Sequence, residues 1–224
     1  MTRMKHYKSA FDGQKAVILC NGPSLNGVDF ESLDGVFCFG LNKIDLLFER
    51  TSFRPSCVVA VNDLVIKQNA GFYQSTDLPV FLDGFAARRH VDFAPNHIHL
   101  CSYEQGFSAQ PEIYVSQGGT VTFVALQLAY YMGFSEVALV GCDHYFGDTG
   151  TPHKELRGGE RDINHFDARY FANQAWHAPD LAMSEASYGL ALQAFQQNGR
   201  QLLNASTQTR LETLPLCSLD AFLQ

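Results

Sequence analysis

The sequence predicts an α/β fold, a Rossmann-like and mostly parallel sheet with helices on both faces. Two observations carry this expectation. Seven short apolar runs recur between turn signals, and helix-like stretches fall between several of them; that alternation builds a sheet from crossover units. Most of the runs are also continuously apolar instead of alternating with polar residues, the pattern of strands buried on both faces.

The predicted strands are Ala16–Cys20, Val36–Phe39, Cys57–Val61, Pro79–Leu82, His97–Cys101, Glu136–Val140 and Gln201–Leu203. Helix is clearest at Lys43–Arg50, Val121–Met132 and Met183–Asn198, the last followed by Gly199, a residue suited to a left-handed helix stop. From Gly147 to Asp180 the rhythm breaks into a stretch rich in Gly, Asp, Asn, His and Arg. A loop of this length is either functional or disordered. Tyr170, Phe171 and Trp176 argue against disorder, so the stretch reads as an ordered lid. With no repeat and no low-complexity linker, residues 1–224 read as one nucleotide-binding domain carrying a lid-like segment at about 147–182.

Composition narrows the function classes. An apolar share of 46% against 17% charged residues describes a packed globular protein. A net charge of -7 leaves no general basic field for a nucleic-acid backbone, so nucleic acid is not an expected partner. The basic start MTRMKHYKSAFDGQK has no apolar stretch of signal-peptide length behind it, and no later run reaches the roughly 20 residues of a membrane span. A cytoplasmic location follows as the expectation, one compatible with peripheral association at the inner membrane and with a homo-oligomer. The six cysteines lie mostly within or beside apolar runs without a CxxC pair, which favours reduced, buried thiols over disulfides or zinc.

The chemistry is expected at the C-terminal ends of the strands, where parallel sheets open a ligand crevice. Three strands end in asparagine, at Asn21, Asn42 and Asn62. Converging there, they make a neutral rim that both donates and accepts hydrogen bonds, suited to ribose, base edges and phosphate. Each asparagine alone is also an ordinary turn or cap residue. In the turn Asn21-Gly22-Pro23-Ser24, Gly22 allows a tight bend and Pro23 and Ser24 begin a helix with outward amides, a phosphate cradle. Neither GxGxxG nor GxxxxGK[ST] occurs, which disfavours a P-loop ATPase or an NAD enzyme. A second anion site is expected at Ser116-Gln117-Gly118-Gly119-Thr120, with Thr120 as helix cap. After the strand at 136–140 come Asp143, His144 and Tyr145; Asp143 is a candidate for a hydroxyl or a metal, and Tyr145 for a phosphate oxygen. His144, His153, His165 and His177 crowd one region without a zinc spacing, so no metal site is assigned to them. His177 and His165 are the candidate general bases, because imidazole titrates near neutral pH.

Taken together, NGPSL at 21–25, the Asn-ended strands, SQGGT at 116–120 and VALVGCDHYF at 137–146 resemble two related families. One is the bacterial CMP-sialic-acid sialyltransferases, glycosyltransferase family 42; the other is the 6-hydroxymethylpterin pyrophosphokinase-like family, whose bacterial members often look like surface-glycan enzymes. The resemblance spans about residues 16–206, and its central stretch looks more like the second family. The sialyltransferase resemblance implies a CMP-sugar donor held by Asn21, Asn42 and Asn62, Ser116 on phosphate, and Tyr145 on the leaving CMP. It further implies a glycan acceptor, His177 as general base with His165 as the alternative, inversion, and no metal or other cofactor. The pyrophosphokinase resemblance implies ATP and magnesium, with Asp63 or Asp143 on the metal. A non-catalytic nucleotide-binding scaffold in glycan assembly is the third reading.

Overall fold

The computed structural model describes residues 3–103, 106–147 and 150–224. Seven strands form one entirely parallel sheet in the order β5-β4-β3-β2-β1-β6-β9. They are β1 (Lys15–Leu19), β2 (Phe37–Leu41), β3 (Cys57–Ala60), β4 (Val80–Asp83), β5 (His97–Leu100), β6 (Glu136–Val140) and β9 (Gln201–Asn204). The α/β class read from the sequence is the fold observed. All seven apolar runs are strands, within two residues of their expected ends.

Alternate residues of each strand enter different cores, which is why the strands read as unbroken apolar runs. Ala16, Ile18, Phe39, Cys57 and Val59 meet one layer, and Val17, Leu19, Cys38, Val58 and Ala60 meet the other. The first layer is built by two long helices, α4 (Val121–Met132) and α5 (Leu181–Gln197). Helix α4 is apolar all round because it is buried almost all round, wedged between the sheet and α5. It starts on Thr120, whose hydroxyl accepts from Thr122 N, and stops at left-handed Gly133. Helix α5 buries a stripe of Ser184, Ser187, Tyr188, Ala191 and Phe195, the spacing of one helical face.

The opposite layer is made of short pieces: α1 (Asp63–Gln68), α2 (Ala70–Ser75), α3 (Gly84–His90), α6 (Leu219–Leu223) and several 3₁₀ turns. The stretch at Lys43–Arg50 is one of those turns, a 3₁₀ helix over Ile44–Glu49 instead of the expected α-helix. It is six residues long and Lys43 supplies no side-chain cap, so the tighter i to i+3 bonding is the better way to satisfy its backbone.

Residues 150–180 complete this layer; residues 148 and 149, within the lid-like segment, lie outside the described residues. They contain an antiparallel hairpin, β7 (Glu155–Arg157) with β8 (Ala175–His177). Phe166, Tyr170, Phe171 and Trp176 are buried in the second core. Backbone bonds tie the segment to the sheet, with Phe166 N donating to Asn21 O at 2.9 Å. Lys43 is 4% exposed, and its Nζ donates to Tyr170 O and to the side-chain oxygens of Gln68 and Gln174 at 2.6–2.8 Å. No helix among the described residues is long and apolar enough to cross a membrane.

Candidate functional site

Strand order reverses between β1 and β6, and at such a switch point the connections leave the sheet in opposite directions and open a crevice at its C-terminal edge. A cleft of about 780 Å³ lies there. Asn21, Gly22, Asn42, Asn62, Ser116, Gly118, Gly119, Thr120, Asp143, Tyr145, His165 and His177 all line it. Of the residues singled out from the sequence, Ser24 and Asp63 lie outside the lining.

The three asparagines are held differently. Asn21 follows β1, and Asn42 follows β2 in the left-handed region at φ 50°, which its short amide tolerates. The Oδ1 atoms of both are buried without a hydrogen-bond partner among the described residues. Such orphan acceptors are costly unless something donates to them. Asn62 caps α1, its Oδ1 accepting from Leu64 N at 3.0 Å and Val65 N at 3.3 Å, while its Nδ2 meets His177 Nδ1 at 3.2 Å.

The turn after β1 differs from the expected cradle. It forms a single 3₁₀ turn, Pro23–Gly27, and its amide at Ser24 donates to Asp143 Oδ2 at 2.9 Å. The Ser24 hydroxyl bonds the other oxygen of the same carboxylate. A side chain of the protein therefore fills the anion position, and Ser24 is 9% exposed behind it. Gly22 is required for this closeness, since a Cβ there would sit 2.6 Å from Asp143 Cγ and from Gly141 O. Asp63 is likewise committed elsewhere, to Arg89 at 2.5 Å and His90 at 2.8 Å, which corrects its expected place as a metal ligand in the cleft.

The second anion position is open. Gly118 and Gly119 have φ of 53° and 76°, and Thr120 N bonds Gln117 O at 3.0 Å, a type I′ turn that delivers the chain into the N-terminus of α4. The amides of Gly118, Gly119 and Val121 have no acceptor among the described residues. Helix α4 adds its positive end. Gln127, fully buried, secures this loop: its Oε1 accepts from Ser108 N and Ser116 N at 3.0 Å, and its Nε2 donates to Ser116 O and Phe123 O at 2.7 and 2.9 Å.

Around the mouth stand four histidines, and no lysine or arginine lines the cleft among the described residues. His165 lies flat on the Tyr170 ring, with centroids 4.0 Å apart, and its Nδ1 meets Asp162 Oδ2 at 2.8 Å. Asp162 is gripped in turn by the amides of Asn164, His165 and Phe171 at 2.8–3.1 Å. Burial alone would raise the Asp162 carboxyl, but the hydrogen bond and charge of His165 with these amides hold it below the usual carboxylate range. It stays an anion, and whenever the His165 ring is neutral this carboxylate holds the ring hydrogen on Nδ1 and leaves the lone pair on Nε2. His153 Nε2 lies 3.3 Å from Asp180 Oδ2, and burial lowers the pKa of His144. Tyr145 is half exposed beneath the Arg210 guanidinium, 3.9 Å from its ring centre. On the floor, Cys20 and Cys142 contact the hydroxyls of Thr122 and Tyr188; the neighbouring Cys142 thiol and burial both push Cys20 up, keeping it protonated.

Sequence reasoning missed Asp162 and Gln127. The one signal for Gln127 was a lone amide inside an otherwise apolar helix; for Asp162 it was an acid three residues before a histidine.

Fold and cleft define an α/β protein with a wide cleft at the sheet's switch point. No protein-family model matches the sequence, and no curated protein matches it. Among solved structures, the chain is similar in fold to the MAf glycosyltransferase from Magnetospirillum magneticum AMB-1, with a TM-score of 0.57 and 14% sequence identity over 97% of this chain. The chain spans 37% of the length of that enzyme.

Proposed function

We propose that this chain is a glycosyltransferase that moves a CMP-activated acidic sugar to an acceptor hydroxyl with inversion. One observation carries the reading: Asn21 and Asn42, whose buried Oδ1 atoms have no partner among the described residues, line the same cleft as Gly118, Gly119 and Val121, whose amides have no acceptor among those residues. The first pair asks for donors, which a ribose or an amino-pyrimidine edge supplies; the amides ask for an anion, which a phosphate supplies. The fold likeness to a glycosyltransferase supports sugar transfer over other uses of the same nucleotide site.

His165 is the general base in this scheme, because Asp162 leaves its Nε2 lone pair available. Nε2 takes the proton of the acceptor hydroxyl as that oxygen attacks the anomeric carbon. The bond to the phosphate oxygen breaks, its electron pair leaves with CMP, and the α4 N-terminus and the Tyr145 phenol receive the charge. No step is assigned to a metal, so transfer is expected to survive chelation.

Thermal unfolding with CMP, CDP, UDP, GDP or ATP, with and without magnesium, tests the nucleotide. Stabilisation by CMP without magnesium is expected. Stabilisation by ATP–magnesium alone overturns the transferase in favour of pyrophosphoryl transfer, and indifference to every nucleotide overturns both the transferase and a nucleotide-binding scaffold. Transfer from CMP-sialic acid to glycan acceptors, followed by release of CMP, tests the reaction.

A further inference from the structure

We infer that Asn62 orients His177 as an Nε2–H hydrogen-bond donor that grips an anionic oxygen of the nucleotide-sugar donor. The inference rests on the transferase reading above, and it separates His177 from the base.

The Asn62 amide cannot be turned round. Its oxygen accepts two backbone N–H groups at the start of α1, Leu64 N and Val65 N, so its nitrogen is the end that faces the lid hairpin. That nitrogen has only hydrogens to offer, and it lies 3.2 Å from His177 Nδ1. Nδ1 is therefore the lone-pair nitrogen, and the hydrogen of the neutral ring sits on Nε2. A nitrogen that already carries a hydrogen cannot take a proton from a hydroxyl. His165 has the reverse arrangement, because a carboxylate holds its Nδ1. The two lid histidines that line the cleft thus differ in the nitrogen their neighbours leave open: a lone pair on Nε2 at 165, a hydrogen on Nε2 at 177. With no lysine or arginine in the lining among the described residues, an anion here depends on backbone amides and on such an imidazole N–H.

The anionic oxygen belongs to either the phosphate or the sugar carboxylate, and calorimetric titration of the full chain with three ligands distinguishes them. The ligands are cytidine, CMP and an unreactive fluorinated CMP-sialic acid. His177→Ala is expected to weaken binding about tenfold for CMP if phosphate is gripped, or for the sugar nucleotide alone if the carboxylate is. Cytidine is unaffected in both cases, and His177→Gln, which keeps a donor at similar reach, restores most of the affinity. Histidine ¹⁵N spectra of the wild type are expected to show the hydrogen on Nε2 of His177. A hydrogen on Nδ1, an equal loss for cytidine, or a fall in kcat with donor affinity intact overturns the inference. A wild type that binds no CMP ligand sinks the transferase reading itself and the donor role with it, while the spectrum still reports the tautomer.

Discussion

Replacing Gln127 with leucine removes the clamp between α4 and the loop that carries the open anion position. Leucine keeps the volume but none of the four hydrogen bonds. Two amides, Ser108 N and Ser116 N, lose their acceptor, and Ser116 O loses its donor. Phe123 O still has its place in the helical ladder. The site is 0% exposed, so no water replaces what is lost. At roughly 1–3 kcal/mol for each buried group left unsatisfied, the three stranded groups cost at least about 3 kcal/mol. For a domain of this size that corresponds to a melting temperature lower by roughly 6–12 °C. Urea and thermal unfolding measure the loss, and CMP titration measures its local part, since the turn at 117–120 loosens with the loop. Val58→Ala, in the core on the other face of the sheet, is the control: it destabilises the fold and leaves CMP affinity unchanged. A Gln127→Leu loss under about 1 kcal/mol, or an unchanged CMP affinity in that variant, refutes the clamp.

Asp162→Asn is expected to lower kcat on the order of 10⁴-fold, as in the Asp–His pair of a catalytic triad, with donor KM nearly unchanged. The oxygen that accepts from Asn164 and His165 amides stays an oxygen, so the new NH₂ faces His165 and drives its hydrogen to Nε2; equal kcat in the two proteins rejects His165 as base. The folded Asp162 carboxyl lies below its unfolded value near 4, so its stabilisation is complete above that pH and is lost as pH falls through the folded value. Acid unfolding of Asp162→Asn should therefore be shallower than wild type below about pH 4. For Lys43, desolvation lowers the pKa to about 8. The unfolded chain keeps that proton up to about 10.4, so stability rises across that window; the difference between wild type and Lys43→Met in urea midpoints should show the rise, and a flat difference contradicts it. Gly118→Ala adds a Cβ 2.4 Å from both Phe123 Cδ1 and Ser187 Oγ at positive φ, and a cost of about 1–3 kcal/mol is expected by thermal unfolding.

The sheet was legible because a strand buried on both faces announces itself as four or five apolar residues in a row, and Val17-Ile18-Leu19 or Val58-Val59 can hardly be anything else. The short helices were not. Six residues at Asp63–Gln68 or Ala70–Ser75 complete fewer than two turns, too few for a period to emerge, and tertiary contacts hold them in place. The asparagine rim was legible because parallel strands in register bring their ends to one edge. What that rim does was not, because Asn62 spends its oxygen on a helix cap and the turn after Asn21 gives its amide to Asp143, more than a hundred residues away. Asp162 was hidden for the same reason: its value lies in a hydrogen bond that exists only once the lid has folded and laid His165 on Tyr170.

The lid is cladding as well as wall. Phe166, Tyr170, Phe171 and Trp176 close the sheet's second core, while His165 and His177 of the same segment border the cleft. Its residues are therefore not interchangeable in any redesign of the cleft. A graft that replaces the whole segment strips the sheet of its covering and yields an aggregating protein whatever chemistry it imports. The exposed residues 159–161, which belong neither to the second core nor to the cleft lining, are where new specificity can be written without dismantling the domain.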